Sequence, residues 1–283
     1  MLKQRVITAV VLLAILLPAL FWREPWPFIL VTLLLLAAGG WEWGRLNGLG
    51  QGGSVAAGLA CLALCAASWW SGLPQQRLPL LWTVAGGLWV LVGAWLLRGG
   101  VAGWPGIPRP LRLALGVLAL WIAWLAVAQA RVIGVNFLLS VLVLVWVADI
   151  FAYFAGRAFG LKFTKNRLAP AISPGKSWEG VWGGMAGVVV LALAWGLADG
   201  SLQARVPSLY GRLAAHGWWL AVIGAMFLAA MSVVGDLVES LVKRSAGMKD
   251  SSALLPGHGG VLDRIDALLP TLPLAMMLEA FAS

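Results

Sequence analysis

Residues 141–160 read VLVLVWVADIFAYFAGRAFG, an apolar run interrupted by a single carboxylate, Asp149. A bilayer span needs about 20 mostly apolar residues, and the stretch from about 134 to 156 supplies them. Asp149 and Tyr153 lie four residues apart, on one face of such a helix. A charge at the bilayer centre costs roughly 2.5–3.5 kcal/mol even on the mildest scale, so it persists where it meets a watery cavity, an ion or a partner. The plainer alternative for Asp149 is an ion pair with a nearby Arg or Lys.

The rest of the chain extends the same pattern. Of its 283 residues, 61% are hydrophobic and 11% charged, against about 25% charged in a soluble domain. That balance excludes a soluble globule. Nine spans are predicted, near 6–22, 26–44, 54–73, 79–97, 111–130, 134–156, 178–198, 216–240 and 267–282. The last is short, so eight is the alternative count. The first has basic residues before its apolar run, like a secretory signal. No small-x-small cleavage pattern follows it, and it reads as a transmembrane helix. The fold class is therefore all-α, a polytopic integral membrane protein with a polar groove among its C-terminal helices. Residues 1–132 read as an N-terminal scaffold of about five helices. Residues 133–283 read as a catalytic region with cytoplasmic loops 157–177 and 241–266.

Basic residues orient the chain. With nine spans and a cytoplasmic N-terminus, 15 of the 20 Lys and Arg fall on the cytoplasmic side, as the positive-inside rule requires. The net charge of +9 is thus a topology signal. No nucleic-acid partner is expected, because that would need a basic surface on a soluble fold. Cys61 and Cys65 share a helix face without a His or acidic neighbour, and read as reduced packing residues.

Of 11 acidic residues, only Glu24 and Glu42 precede Asp149. The span AMFLAAMSVVGDLVESLVKR (225–244) carries Asp236 and Glu239 at i, i+3, and Asp263 and Asp266 repeat that spacing. A Lys or Arg partner is the plain alternative for Asp236, and an interfacial position for Glu239. Oxygen-rich sites of this kind suit Mg²⁺ bound with substrate phosphates. Zinc fits poorly, since His258 is the one histidine nearby and no thiolate accompanies it. Lys243, Arg244, Lys249 and Arg264 add cations, and the glycines of PGHGG (256–260) add flexible backbone N–H groups. The loop between the sixth and seventh spans contributes SPGKS (173–177). Carboxylates for a metal beside cations for phosphates point to phosphoryl or nucleotidyl transfer. SPGKS is no P-loop, because Pro170 stands where that motif needs Gly. Gly180 with Gly184, and Gly183 with Gly187, read as helix-packing contacts.

The stretch SLVKRSAGMKDSSALLPGHGGVLDRID, residues 240–266, resembles the signature of the phosphatidate cytidylyltransferases, also called CDP-diacylglycerol synthases. The pattern runs S-x-apolar-K-R, four residues, K-D, then P-x-H-G-G-apolar-x-D-R-apolar-D. Ser240, Lys243, Arg244, Lys249, Asp250, Pro256, His258, Gly259, Gly260, Asp263, Arg264 and Asp266 fill every fixed position. DIFAYFAGRAFG and LAPAISPGKSWEGVWGG resemble the family's preceding segment, so the likeness covers about 146–270. The chain departs at SSALLP after Lys249–Asp250, where an aromatic and a glycine are frequent, and at Ala267, where Ser is.

The resemblance implies condensation of CTP with phosphatidic acid to CDP-diacylglycerol and pyrophosphate, with Mg²⁺ and room for a second, monovalent cation. It implies Asp236, Lys249, Asp250, Asp263, Arg264 and Asp266 as catalytic residues, with Asp236, Asp263 and Asp266 on the metal. Ser173, Lys176, Ser177, Glu179, Ser240, Lys243, Arg244, His258, Gly259 and Gly260 would bind substrate. His258 has a plainer alternative, as a loop histidine capping backbone. A homodimer in a bacterial inner membrane is expected, with the site facing the cytoplasm. Rival readings are a CTP-using polyprenol kinase or archaeol-type cytidylyltransferase, then a secondary transporter.

Overall fold

The computed structural model describes residues 2–282, and among these there is no β-strand. The helices run in chain order as α1 (Leu2–Phe21), α2 (Trp26–Leu46), α3 (Gln51–Trp70), α4 (Pro79–Gly103), α5 (Arg109–Ile133) and α6 (Val135–Phe159). They continue as α7 (Trp178–Ser201), α8 (Leu209–Ala215), α9 (Trp218–Ser245), α10 (Leu262–Ile265) and α11 (Leu268–Phe281). Gly100, with φ 62°, breaks the regular turn of α4 near its end. The expected all-α class is met.

Among the described residues, eight helices are long and apolar enough to cross a membrane: α1 to α7, and α9. The ninth expected span is α11, which has 14 residues and contains Pro273. At about 1.5 Å per residue it reaches roughly 21 Å, short of the hydrocarbon core's about 30 Å.

The helices form two compact units, each assembled from several stretches. One unit comprises the chain up to Gln76, Val101–Val135 and Val242–Asp266. Its tightest contact is between α2 and α3, where small residues let backbones approach. A Cβ at Gly58 would lie 2.7 Å from the Ala37 carbonyl oxygen, and one at Gly40 would lie 2.7 Å from Cys61 Sγ. Cys61 and Cys65 are free and fully buried, in the packing role expected of them. In the same unit Gly116 of α5 makes room for the Trp43 indole, whose Nε1 donates to the Arg112 carbonyl at 3.2 Å.

The other unit comprises Arg77–Gly100, Asn136–Leu241 and the chain from Ala267. Here α6 and α7 meet along the predicted glycines. A Cβ at Gly183 would lie 2.1 Å from Ala155 Cβ, and one at Gly187 would lie 2.3 Å from the Phe151 ring. Gly180 and Gly184 face the Ala152 and Ala148 carbonyls. Asp199, near the end of α7, accepts from Ser208 N at 2.7 Å and Asn136 Nδ2 at 2.8 Å, tying α6 and α7 to the start of α8.

Candidate active site

From Val242 onward the signature segment folds in the first unit. After α9 the chain passes through a loop to the short turn α10, and the last two glycines of GHGG serve close approaches. Gly259 has φ 82°, a left-handed conformation that costs glycine little. Asp263 lies beneath it and uses both oxygens. Oδ1 accepts from Lys243 Nζ at 2.6 Å. Oδ2 accepts from Ser251 N at 2.8 Å, Ser251 Oγ at 2.8 Å and Gly260 N at 2.7 Å. Burial opposes ionisation of Asp263, but the bonds from Lys243, Gly260 and Ser251 outweigh it and hold the carboxyl below its ordinary range.

Glu42 of α2 meets the same segment. Its side chain is fully buried. Oε1 accepts from Ser252 Oγ at 2.5 Å and Val261 N at 2.9 Å. Oε2 accepts from Ser251 Oγ at 3.1 Å and Leu262 N at 2.7 Å. Around this core Lys249, Asp250, Arg244 and Arg264 are exposed, and Asp266 is half-buried. Arg264 turns back, its Nε donating to the His258 carbonyl at 3.0 Å. His258 Nδ1 is buried with no hydrogen-bond partner.

The second unit carries the SPGKS loop and Asp236. Lys176 Nζ lies 2.5 Å from Asp236 Oδ2, and Ser240 Oγ donates to Asp236 Oδ1 at 3.3 Å. Asp236 therefore has the lysine partner of the plainer reading. Ser177 caps α7, its hydroxyl accepting from Gly180 N at 3.2 Å. Glu179 is buried, and its Oε1 accepts from Phe163 N, Thr164 N and Thr164 Oγ1 at 3.1, 2.7 and 2.8 Å. Its carboxylate braces the loop from inside. Ser173 is half-buried within a tight turn, its N–H donating to the Ala169 carbonyl at 2.8 Å.

Beside these residues lies a cavity of about 620 Å³, walled by α6, α7 and α9. Its polar lining is Asp149, Tyr153, Arg157, Lys176 and Ser177, and the remainder is apolar and mostly small, including Ala152, Gly180, Gly184 and Ala229. Asp149 is exposed on this cavity rather than buried in a helix contact. A polar group beside an apolar recess fits an amphiphile, and this volume is ordinary for a ligand site.

The profile of the cytidylyltransferase family matches residues 3–281. This chain belongs to that family. It is 43% identical over 282 residues to a phosphatidate cytidylyltransferase of Pseudomonas aeruginosa, covering 96% of this chain and 95% of that one. It is 37% identical over 306 residues to the Haemophilus influenzae protein of the same name, covering 96% of each. A phosphatidate cytidylyltransferase of Thermotoga maritima is 44% identical over 138 residues, 48% of this chain and 46% of that one.

Within a cytidylyltransferase fold, Glu42 is the residue that sequence reasoning missed. It lies in a helix assigned to scaffold, yet it grips the signature segment. One signal for it was available, since Glu42 is one of two acids in the first 148 residues. Ser251 and Ser252 were also passed over, as departures from the usual pattern. Among the described residues no group of three or more His, Cys, Asp or Glu is gathered as a metal site.

Proposed function

We infer that this protein is a phosphatidate cytidylyltransferase, a membrane nucleotidyltransferase of phospholipid synthesis. It condenses CTP with phosphatidic acid to CDP-diacylglycerol and pyrophosphate. The full-length likeness to phosphatidate cytidylyltransferases carries this reading, and the residues supply a chemical rationale. The nucleophile is a phosphate oxygen of the lipid, already ionised near neutral pH. It attacks the α-phosphorus of CTP as the bond to pyrophosphate breaks. No strong general base is needed, and the work is positioning two polyanions and neutralising them.

The roles follow from chemistry. Lys176, Lys243, Arg244, Lys249 and Arg264 bind phosphates, and the exposed Arg244, Lys249 and Arg264 meet CTP first. The cavity beside Lys176, Ser177 and Arg157 accepts the lipid, its phosphate at the polar lining and its glycerol end in the apolar recess. His258, with Gly259 and Gly260, shapes the loop that meets the nucleotide. Asp263 and Asp266 of the first unit, or Asp236 of the second, would hold Mg²⁺, with room for a monovalent cation. Their hard oxygen donors fit it, and when bound it would neutralise charge on the transferring phosphate. Asp236 and Asp263 each hold a lysine ammonium. The positive-inside bias supports a cytoplasmic site in a bacterial inner membrane, and a homodimer is the assembly we expect.

The test is pyrophosphate release by purified protein in micelles with phosphatidic acid, CTP and Mg²⁺, beside Asp263→Asn. We expect release that needs all three components and falls by at least about 100-fold in the variant. Release of CDP instead would mean a CTP-dependent kinase. Release undiminished in Asp263→Asn would keep the function and remove Asp263 from the site.

A further inference from the structure

We propose that Glu42 is a positioning residue for this reaction, holding Asp263 in place through Ser251 and the glycine backbone. The proposal rests on reading the 240–266 segment as part of a cytidylyltransferase site.

Glu42 cannot act by touching substrate. It is fully buried, and a carboxylate offers about four lone-pair directions. Ser251, Ser252, Val261 and Leu262 supply four donors. Those donors flank the PGHGG turn on both sides, so one side chain clamps both ends of the loop. Removing it would leave two backbone N–H groups and the Ser252 hydroxyl to find new acceptors, and buried donors without acceptors are costly.

The clamp reaches Asp263 by two short routes. The first is Ser251 Oγ, which lies 3.1 Å from Glu42 Oε2 and 2.8 Å from Asp263 Oδ2. Its single proton serves one carboxylate at a time, and the Ser251 N–H is committed to Asp263 at 2.8 Å. Ser251 is thereby fixed from both sides. The second route is Gly260. A Cβ there would lie 2.2 Å from Glu42 Oε1 and 2.1 Å from Ser251 Oγ. Only glycine lets Glu42 come this close while the Gly260 N–H donates to Asp263 at 2.7 Å. The two carboxylates share the Ser251 hydroxyl and hold neighbouring backbone N–H groups of one turn, so a shift of one moves the other. A displacement of about 1 Å at a reacting centre can cost about 100-fold in rate.

Glu42→Gln is nearly isosteric but exchanges one acceptor oxygen for a donor, which opposes two of the four bonds. Glu42→Asp keeps the charge on a shorter stem. With purified protein in micelles we expect Glu42→Gln to lose about 100-fold in kcat, with KM for CTP and for phosphatidic acid within about twofold of wild type. Glu42→Asp should recover part of that loss. In the Ser251→Ala background, Glu42→Gln should add less than about threefold, because the two act as one unit. Hydrogen exchange should quicken across residues 250–262 in Glu42→Gln and stay unchanged in α6 and α7.

An unchanged kcat, losses that multiply fully with Ser251→Ala, or faster exchange throughout the protein would each overturn the proposal. A wild type that releases no pyrophosphate would sink the function reading and the kinetic arm with it. The exchange pattern would then decide alone whether Glu42 holds the segment.

Discussion

Asp263 commits both oxygens to protein donors, and this fixes how the site responds to acid. Its folded pKa lies below the ordinary aspartate value of 3.8. A carboxyl depressed in this way adds stability that is complete above the unfolded pKa and is lost as pH falls through the folded one. The stability difference between wild type and Asp263→Asn should therefore hold steady from about pH 7 to 5 and close below about pH 4. Chemical denaturation in micelles at each pH would measure it. A difference that closes near neutral pH would mean that some other group governs it. Asp263, Lys243 and the paired glycines were legible because the signature fixes their identity and spacing. Glu42 was not, because hydropathy treats an acid near a span end as interfacial, and its partners lie more than 200 residues away. Asp236 was legible as a chemical residue, but its lysine partner sits in a loop whose path no periodicity predicts.

At the scale of the elements, the glycines of α7 give a sharp contrast. Gly183 abuts Ala155 of α6, whereas nothing lies within 4 Å of a Cβ at Gly200. Gly183→Ala should destabilise the protein by about 1–3 kcal/mol through overpacking. Gly200→Ala should be neutral or stabilise it by up to about 1 kcal/mol. Unfolding of the two variants in the same detergent compares them directly, and equal effects would show that the seam is loose. The glycine spacing was readable from sequence because an i, i+4 repeat marks one helix face whatever it meets. The partner helix was not readable, since small residues specify closeness and not identity. The ninth predicted span was read as short, and the helix there has 14 residues. Residues 267–282 are apolar enough for a span, but composition cannot distinguish lipid from protein surroundings, and most of α11 up to Met276 is buried.

For the molecule as a whole, charge bias and the eight described helices long and apolar enough to cross predict one topology. Loops 160–177 and 246–261 should face the cytoplasm, and residues 202–217 the opposite side. Single cysteines replacing Lys165, Lys249 or Gln203 test this with an impermeant thiol reagent, since Cys61 and Cys65 are buried. Only the Gln203 position should react in intact cells. Reaction at Lys165 or Lys249 would reverse the orientation. Membrane character was plain from composition, because apolar runs of this length have no other stable home. The grouping of helices was hidden, because each compact unit draws on several separated stretches.

Glu42 also has a history in the making of the chain. Its hydrogen-bond partners follow it by 209 to 220 residues. At about 5–20 residues per second, the ribosome takes roughly 10 to 45 s to deliver them. During that interval α2 enters the bilayer with an unanswered carboxylate one turn from its end. A nascent chain arrested before residue 249 should therefore expose that helix end to proteolysis, and the finished chain should protect it. Glu42→Ala should insert α2 at least as readily in the arrested chain, yet leave the finished protein less protected. The residue would then burden the early stages of assembly and stabilise the last.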